Sequence, residues 1–316
     1  MSSLIEQAAQ RLEQLRQSGV RMPEMPAPPV LPSVAQTTQR LQPLVDAGSS
    51  ASTLPLPPQT PPVQSQRVEL DLEALAAANI VTPSAPRSLV ADQFRVIKRP
   101  LISNAIGKGA TTPAHANLIM VTSAVAGEGK SFTSVNLAIS IAAELDHTVM
   151  LVDADVARPS LPRMLGLPDG PGLLDLLDGS VDMASILLRT NIDKLTLLRS
   201  GTPHARATEM LASDAMRQLL DDMARRYPDR IIIFDSPPLL LTTEARALAM
   251  NMGQIVVVVR AGKTLQADVL RALATIEACP LRMMLLNQTR SGAQEASELG
   301  YGYGYGYGYG GDKRGA

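Results

Sequence analysis

The 316-residue sequence predicts an α/β fold, a mostly parallel sheet with helices on both faces. Three observations carry this. From residue 117 onward, apolar β-rich runs alternate with helical stretches: NLIMVTS (117–123), TVMLVDAD (148–155), KLTLLRS (194–200), RIIIFDS (230–236), QIVVVVR (254–260) and RMMLLNQ (282–288). Each run is nearly continuous in its apolar character, as strands covered on both faces are. A glycine-bearing loop, SAVAGEGKS (123–131), joins the first run to the helical stretch FTSVNLAISIAAEL. In such sheets ligands bind at the carboxyl ends of the strands. The strand ends are therefore where chemistry is sought.

Upstream, residues 3–17 are expected to form an amphipathic helix, with Leu4, Ala8, Leu12 and Leu15 at helical spacing, in a segment placed at 1–20. Residues 21–87 are expected to be a proline-rich linker. Eleven of the 24 prolines fall between Pro23 and Pro62, mixed with Ser, Thr and Gln. A short helical patch, DLEALAAANI (71–80), interrupts it. The main domain is expected over 88–300, opened by the helix SLVADQFRVIKRPLISNA (88–105), and 301–316 is a tail.

Composition narrows the function. A net charge of −1 offers no global case for nucleic acid. The single cysteine, Cys279, sits in a helical pattern and makes no internal disulfide, which fits a reducing compartment. The aliphatic run IVVVV (255–259) is far shorter than the roughly 20 residues that span a bilayer. The N-terminal stretch, interrupted by Glu6 and Glu13, does not read as a signal peptide. A cytosolic protein is expected, unless a partner holds it at a membrane.

The loop 123–131 reads as a phosphate cradle of the P-loop NTPase type. Backbone N–H groups from Gly127 to Ser131 can point at phosphate oxygens, and the helix dipole adds positive potential. Lys130 would reach the β- and γ-phosphates, and the Ser131 hydroxyl would bind Mg²⁺. Lys130 is expected to face solvent when no nucleotide is bound. Ala124 stands where the full pattern has its first glycine. Gly127, Glu128, Gly129, Lys130, Ser131 and Phe132 form the candidate nucleotide-binding set, together with Asn287, whose amide could pair with a purine edge or form a turn.

The second strand ends in LVDADVARPS (151–160). Asp153 and Asp155 alternate along an extended segment and so share a face. Two acids beside a phosphate cradle suit a metal ligand and a base. The strand 230–236 delivers Asp235 in the manner of a Walker B acid, holding Mg²⁺ directly or through water.

Together AGEGKS, VDADVARPS and IIIFDSPP resemble the bacterial tyrosine kinases, the BY-kinases, over about residues 88–310. The N-terminal pieces are similar to the exopolysaccharide-locus autokinases associated with exosortase systems. The resemblance implies a P-loop ATPase fold and ATP with Mg²⁺ as cofactors. It makes Lys130 and Ser131 the Walker A ligands, Asp153 a metal-site acid, Asp155 the base, Arg158 a member of the same motif and Asp235 the Walker B acid. It implies that the tail tyrosines Tyr301, Tyr303, Tyr305, Tyr307 and Tyr309 are phosphorylated in trans. An E-x-x-R-x-x-R assembly motif of the family falls on Asp92, Arg95 and Lys98, with charge-conserving replacements at both ends, and implies ring-like self-assembly. The implied partners are a separate membrane-bound polysaccharide chain-length regulator, which recruits and activates the kinase, and a tyrosine phosphatase. The rival reading is a switch ATPase of the MinD or ParA type. Those carry a signature lysine at the position of Val125.

Overall fold

A computed structural model describes residues 65–84, 87–109, 113–226 and 229–289. The expected helix 3–17, the prolines from Pro23 to Pro62 and the five tail tyrosines lie outside the described residues.

Eight strands form one sheet: β1 Gln66–Arg67, β2 Leu118–Ser123, β3 Thr148–Asp153, β4 Leu188–Arg189, β5 Leu195–Leu198, β6 Arg230–Asp235, β7 Gln254–Arg260 and β8 Leu281–Asn287. Their order is β1-β4-β5-β3-β6-β2-β7-β8. Every pair is parallel except β4 with β5. The α/β expectation holds. The six predicted strands are all present, and the two that went unread, β1 and β4, have only two residues each.

The helices are α1 Leu72–Ala77, α2 Leu89–Ala105, α3 Lys130–Ala142, α4 Leu161–Leu165, α5 Leu173–Leu177, α6 Met183–Ile186, α7 Ala207–Leu211, α8 Asp214–Arg226, α9 Thr243–Ala249 and α10 Gln266–Ala274. Alternation along the strands sends successive side chains to opposite faces. Leu118 and Met120 enter the core packed by α8, α9 and α10, whereas Ile119 and Val121 enter the core packed by α2 and α3. Both cores are aliphatic, and Phe234 is among their largest fully buried side chains.

Three local outcomes differ from expectation. Residues 66–82, in the segment 21–87 read as linker with a helical patch, are packed: α1 falls in that patch, β1 pairs with β4, and Leu70, Leu75, Ile80 and Val81 are buried in the core of α2 and α3. Asp71 caps α1, accepting from Glu73 N and Ala74 N at 3.0 and 2.9 Å. Cys279 lies past the end of α10 rather than within a helix, buried with its Sγ near the carbonyls of Met252 and Leu281. The third concerns α2, capped by Ser88 at Ala91 N. Its buried stripe is Ala91, Phe94, Lys98 and Leu101, so Lys98 belongs to the inward face. Lys98 Nζ donates to the Ser140 carbonyl and pairs with Glu144 Oε1 at 2.7 Å. It is therefore not presented to a neighbouring subunit. Arg95 pairs with Asp92 on the helix itself.

Candidate nucleotide-binding site

The sheet order sets β3, β6 and β2 side by side, so three motif-bearing strand ends converge. Gly127 and Gly129 adopt φ of 82° and 94°. These left-handed conformations favour glycine and let the chain turn into α3 directly after β2. Gly129 is the N-cap of α3, and no side chain caps its first turn. The N-terminal N–H groups of a helix left this way suit an anion. Ala124, at the first-glycine position, is fully buried against the sheet.

Glu128 does not face a ligand. It is 1% exposed, and its carboxylate accepts from Val125 N at 2.8 Å, from Arg260 N at 3.3 Å and from the Thr264 hydroxyl. The acid thus ties the loop to the end of β7. Asn287, considered for a purine edge, is also committed to the protein. Its Nδ2 donates to the Glu128 carbonyl at 2.9 Å and its Oδ1 accepts from Gln288 N at 2.8 Å. The Phe132 ring turns away from the loop to an edge-to-face contact with Phe94, centroids 6.4 Å apart. Only backbone groups of Phe132 are left for a nucleotide.

Lys130 is not solvent-facing. Its Nζ lies 2.7 Å from Asp155 Oδ2, with side-chain exposures of 13% and 7%. Asp155 also accepts from Arg158 N at 3.2 Å through Oδ1, closing a tight turn after β3. Arg158 itself is exposed.

Asp153 and Asp235 stand opposite each other in the β3–β6 register, both fully buried. Asp153 Oδ1 accepts from Asp155 N at 3.3 Å, and Oδ2 accepts from Ser160 N and Leu161 N at 3.1 and 3.0 Å. Both its oxygens therefore organise the 153–161 turn. Burial, with the neighbouring Asp235 charge, pushes its carboxyl up to about 7. Asp235 is also raised, chiefly by burial, against the pull of Lys130 and two hydroxyls. It accepts from Ser134 Oγ at 3.0 Å. Ser160, which sequence reasoning passed over, shares a hydrogen bond with Ser131 Oγ at 2.8 Å and reaches Asp235 Oδ2 at 3.4 Å. Its signal lay in the VARPS stretch, one strand end from the acids, but a lone serine has no pattern of its own.

Among the described residues no three His, Cys, Asp or Glu side chains group as a metal cage. Mg²⁺ takes one or two carboxylates and completes its shell with phosphate oxygens and water. The Asp235 carboxylate and Ser131 hydroxyl, beside an uncapped helix N-terminus, fit that donor set.

A glycine loop opening a helix with Lys-Ser, flanked by acids on two neighbouring strand ends, defines a P-loop NTPase. The chain belongs to the ParA family, whose model, described as NUBPL iron-transfer P-loop NTPase, matches residues 114–287. The resemblance to bacterial tyrosine kinases is also borne out. Tyrosine-protein kinase YwqD of Bacillus subtilis (strain 168) is 29% identical over 223 residues, 71% of this chain and 90% of that protein. Tyrosine-protein kinase ptk of Acinetobacter johnsonii is 34% identical over 155 residues, 49% of this chain but only 21% of the relative. Among solved structures, the kinase domain of Escherichia coli tyrosine kinase ETK superposes with a TM-score of 0.51 at 26% identity, covering 61% of this chain and 73% of that one. The chimerical protein CapA2B2 superposes with a TM-score of 0.55 at 25% identity, covering 71% and 93%.

Proposed function

We propose that this chain is an ATP-dependent protein-tyrosine kinase that phosphorylates, in trans, the tyrosines at 301, 303, 305, 307 and 309 of a second copy. The observation that carries this reading is the Lys130–Asp155 pair beside Asp235. It sets the phosphate cation and a carboxylate base within one contact of each other. The N–H groups from Gly127 to Ser131 bind the phosphates of ATP. Lys130 exchanges Asp155 for the β- and γ-phosphates, which frees the carboxylate. The phenol oxygen then bonds to the γ-phosphorus as the bond to the β–γ bridging oxygen breaks, and the phenol proton passes to Asp155 late in the transfer. ADP leaves. A phenol has a pKa near 10 and is a weak nucleophile at neutral pH, so positioning and charge stabilisation carry most of the catalysis. Ser131 and Asp235 would hold Mg²⁺, which would neutralise developing phosphate charge. Asp153 sets the shape and charge of this corner rather than touching the metal.

The kinase regulates exopolysaccharide synthesis or export in this reading. A separate membrane regulator activates it at the inner face of the membrane, and a tyrosine phosphatase resets it. No helix among the described residues is long and apolar enough to cross a membrane. Ring-like assembly would rest on Asp92 and Arg95, since Lys98 is spent inside the chain.

The second reading is a switch ATPase, favoured by the ParA family match. Against it stands Val125, whose side chain packs on the core where those switches carry their signature lysine. Incubation of the purified chain with Mg²⁺-ATP, followed by mass spectrometry of the C-terminal peptide, separates the two. Phosphotyrosine on that peptide supports the kinase. ATP hydrolysis without it supports the switch.

A further inference from the structure

The sheet ends in an open edge with a bare face. β8 is the last strand in the order, and among the described residues nothing pairs with its outer side. Its burial alternates strictly. Met283 and Leu285 pack on the core of α2 and α3. Arg282, Met284 and Leu286 point to the other face, where Met284 and Leu286 are 65% and 62% exposed. In β7, one strand inward, the residues on that face are Ile255 and Val257, both fully buried, and Val259, partly buried against the same core. The apolar surface therefore runs past its helical cover by one strand. Exposed apolar edge strands invite pairing with further strands.

We propose that residues 301–310 of the same chain add to β8 as a ninth, antiparallel strand. The segment YGYGYGYGYG has a side-chain period of two, the period of a strand. Extended, it turns every tyrosine to one face and every glycine to the other. Pairing in the register that puts the tyrosines beside Arg282, Met284 and Leu286 covers the bare apolar row. It also gives the rings a cation and a thioether to contact. The chain leaves β8 at Asn287, and residues 290–300 intervene before Tyr301, enough to reverse direction. The ten-residue segment would extend ~33 Å, against ~23 Å for β8, so it can cover the whole edge. The docked strand withholds the same phenols from any active site, so release of the edge becomes a step that precedes their modification.

The test is limited chymotrypsin digestion of the nucleotide-free chain, so its outcome does not depend on the kinase reading. Cleavage after the tail tyrosines is followed by mass spectrometry and compared with a synthetic peptide of residues 290–316. The tail in the chain should be cut about tenfold more slowly than the peptide. Met284→Lys with Leu286→Lys, at exposed positions that leave the core alone, should restore the peptide rate. Gly306→Pro, which removes a strand N–H without touching β8, should do the same. A wild-type tail cut at the peptide rate overturns the proposal, as does protection that survives all of these changes. Protection that weakens on dilution overturns the same-chain assignment.

Discussion

Lys130 Nζ sits 2.7 Å from Asp155 Oδ2, so the cation of the glycine loop is held by an acid from the turn after β3. The pair is mostly buried. Lys130→Met should therefore do more than abolish nucleotide chemistry. It leaves the Asp155 charge without its partner, at a cost of about 2 kcal/mol. We expect loss of phosphotyrosine together with a fall in the apo melting temperature of roughly 4–8 °C. An unchanged melting curve by calorimetry would mean that the pair is not formed in solution.

The Asp153 carboxyl gives the site a pH dependence of defined sign. Its folded pKa, about 7, lies above the ordinary carboxylate value, so between the two the fold holds a proton that the unfolded chain has released. Ligand-free stability should fall as pH rises through that window, by an amount on the order of a few kcal/mol. Urea midpoints measured from about pH 5 to pH 8 will show it. Asp153→Asn should make the curve shallower, the remaining slope coming from Asp235, whose carboxyl burial also raises. A wild-type midpoint that rises over this range would contradict the assignment.

At the C-terminal end of α3, Lys98 and Glu144 test whether the buried cation is structural. The Lys98 hydrogen bond holds the Glu144 carboxyl below its usual range. That contribution is present above the unfolded carboxylate pKa and is lost as pH falls through the folded value. Glu144→Gln strands the ammonium and should destabilise by about 1–3 kcal/mol. Lys98→Met replaces the ammonium with an apolar chain of similar length and should stay within ~1 kcal/mol of wild type. If Lys98→Met also dissolves an oligomer, seen by light scattering, the assembly role returns.

Asn287 and Gly129 form the fourth test. A Cβ at Gly129 would meet Asn287 Nδ2 at 2.1 Å, and the residue sits at φ +94°. Gly129→Ala should cost about 1–3 kcal/mol in backbone strain and displace the amide that holds the Glu128 carbonyl. Asn287→Ala removes that prop, and the acceptor for Gln288 N, without backbone strain at Gly129, and should weaken ATP binding about tenfold, ~1.4 kcal/mol, by isothermal titration. Equal affinity for wild type and Asn287→Ala would show the prop to be dispensable.

Much of this was readable in advance, and the misses have physical causes. The six long strands were legible because burial on both faces demands continuous apolar runs. β1 and β4 are too short to carry any periodicity. GEGKS located the loop, but nothing local shows that the Glu128 side chain folds back to Thr264, far away in sequence. The resemblance placed Lys98 in an assembly motif, yet the residue is buried within its own chain. Its spacing from Ala91, Phe94 and Leu101 already placed it on the apolar stripe. Ser160 became visible only when two strand ends were set side by side.

The sheet order has a mechanical corollary. The described chain enters at β1 and leaves from β8, the two opposite margins of an eight-strand sheet. Seven spacings of about 4.8 Å separate those margins by ~34 Å. A force applied at β1 would act on one flank of the sheet and leave β8 at the far flank. Ligands bound at the two margins therefore cannot touch, so each flank of the sheet can be occupied independently of the other.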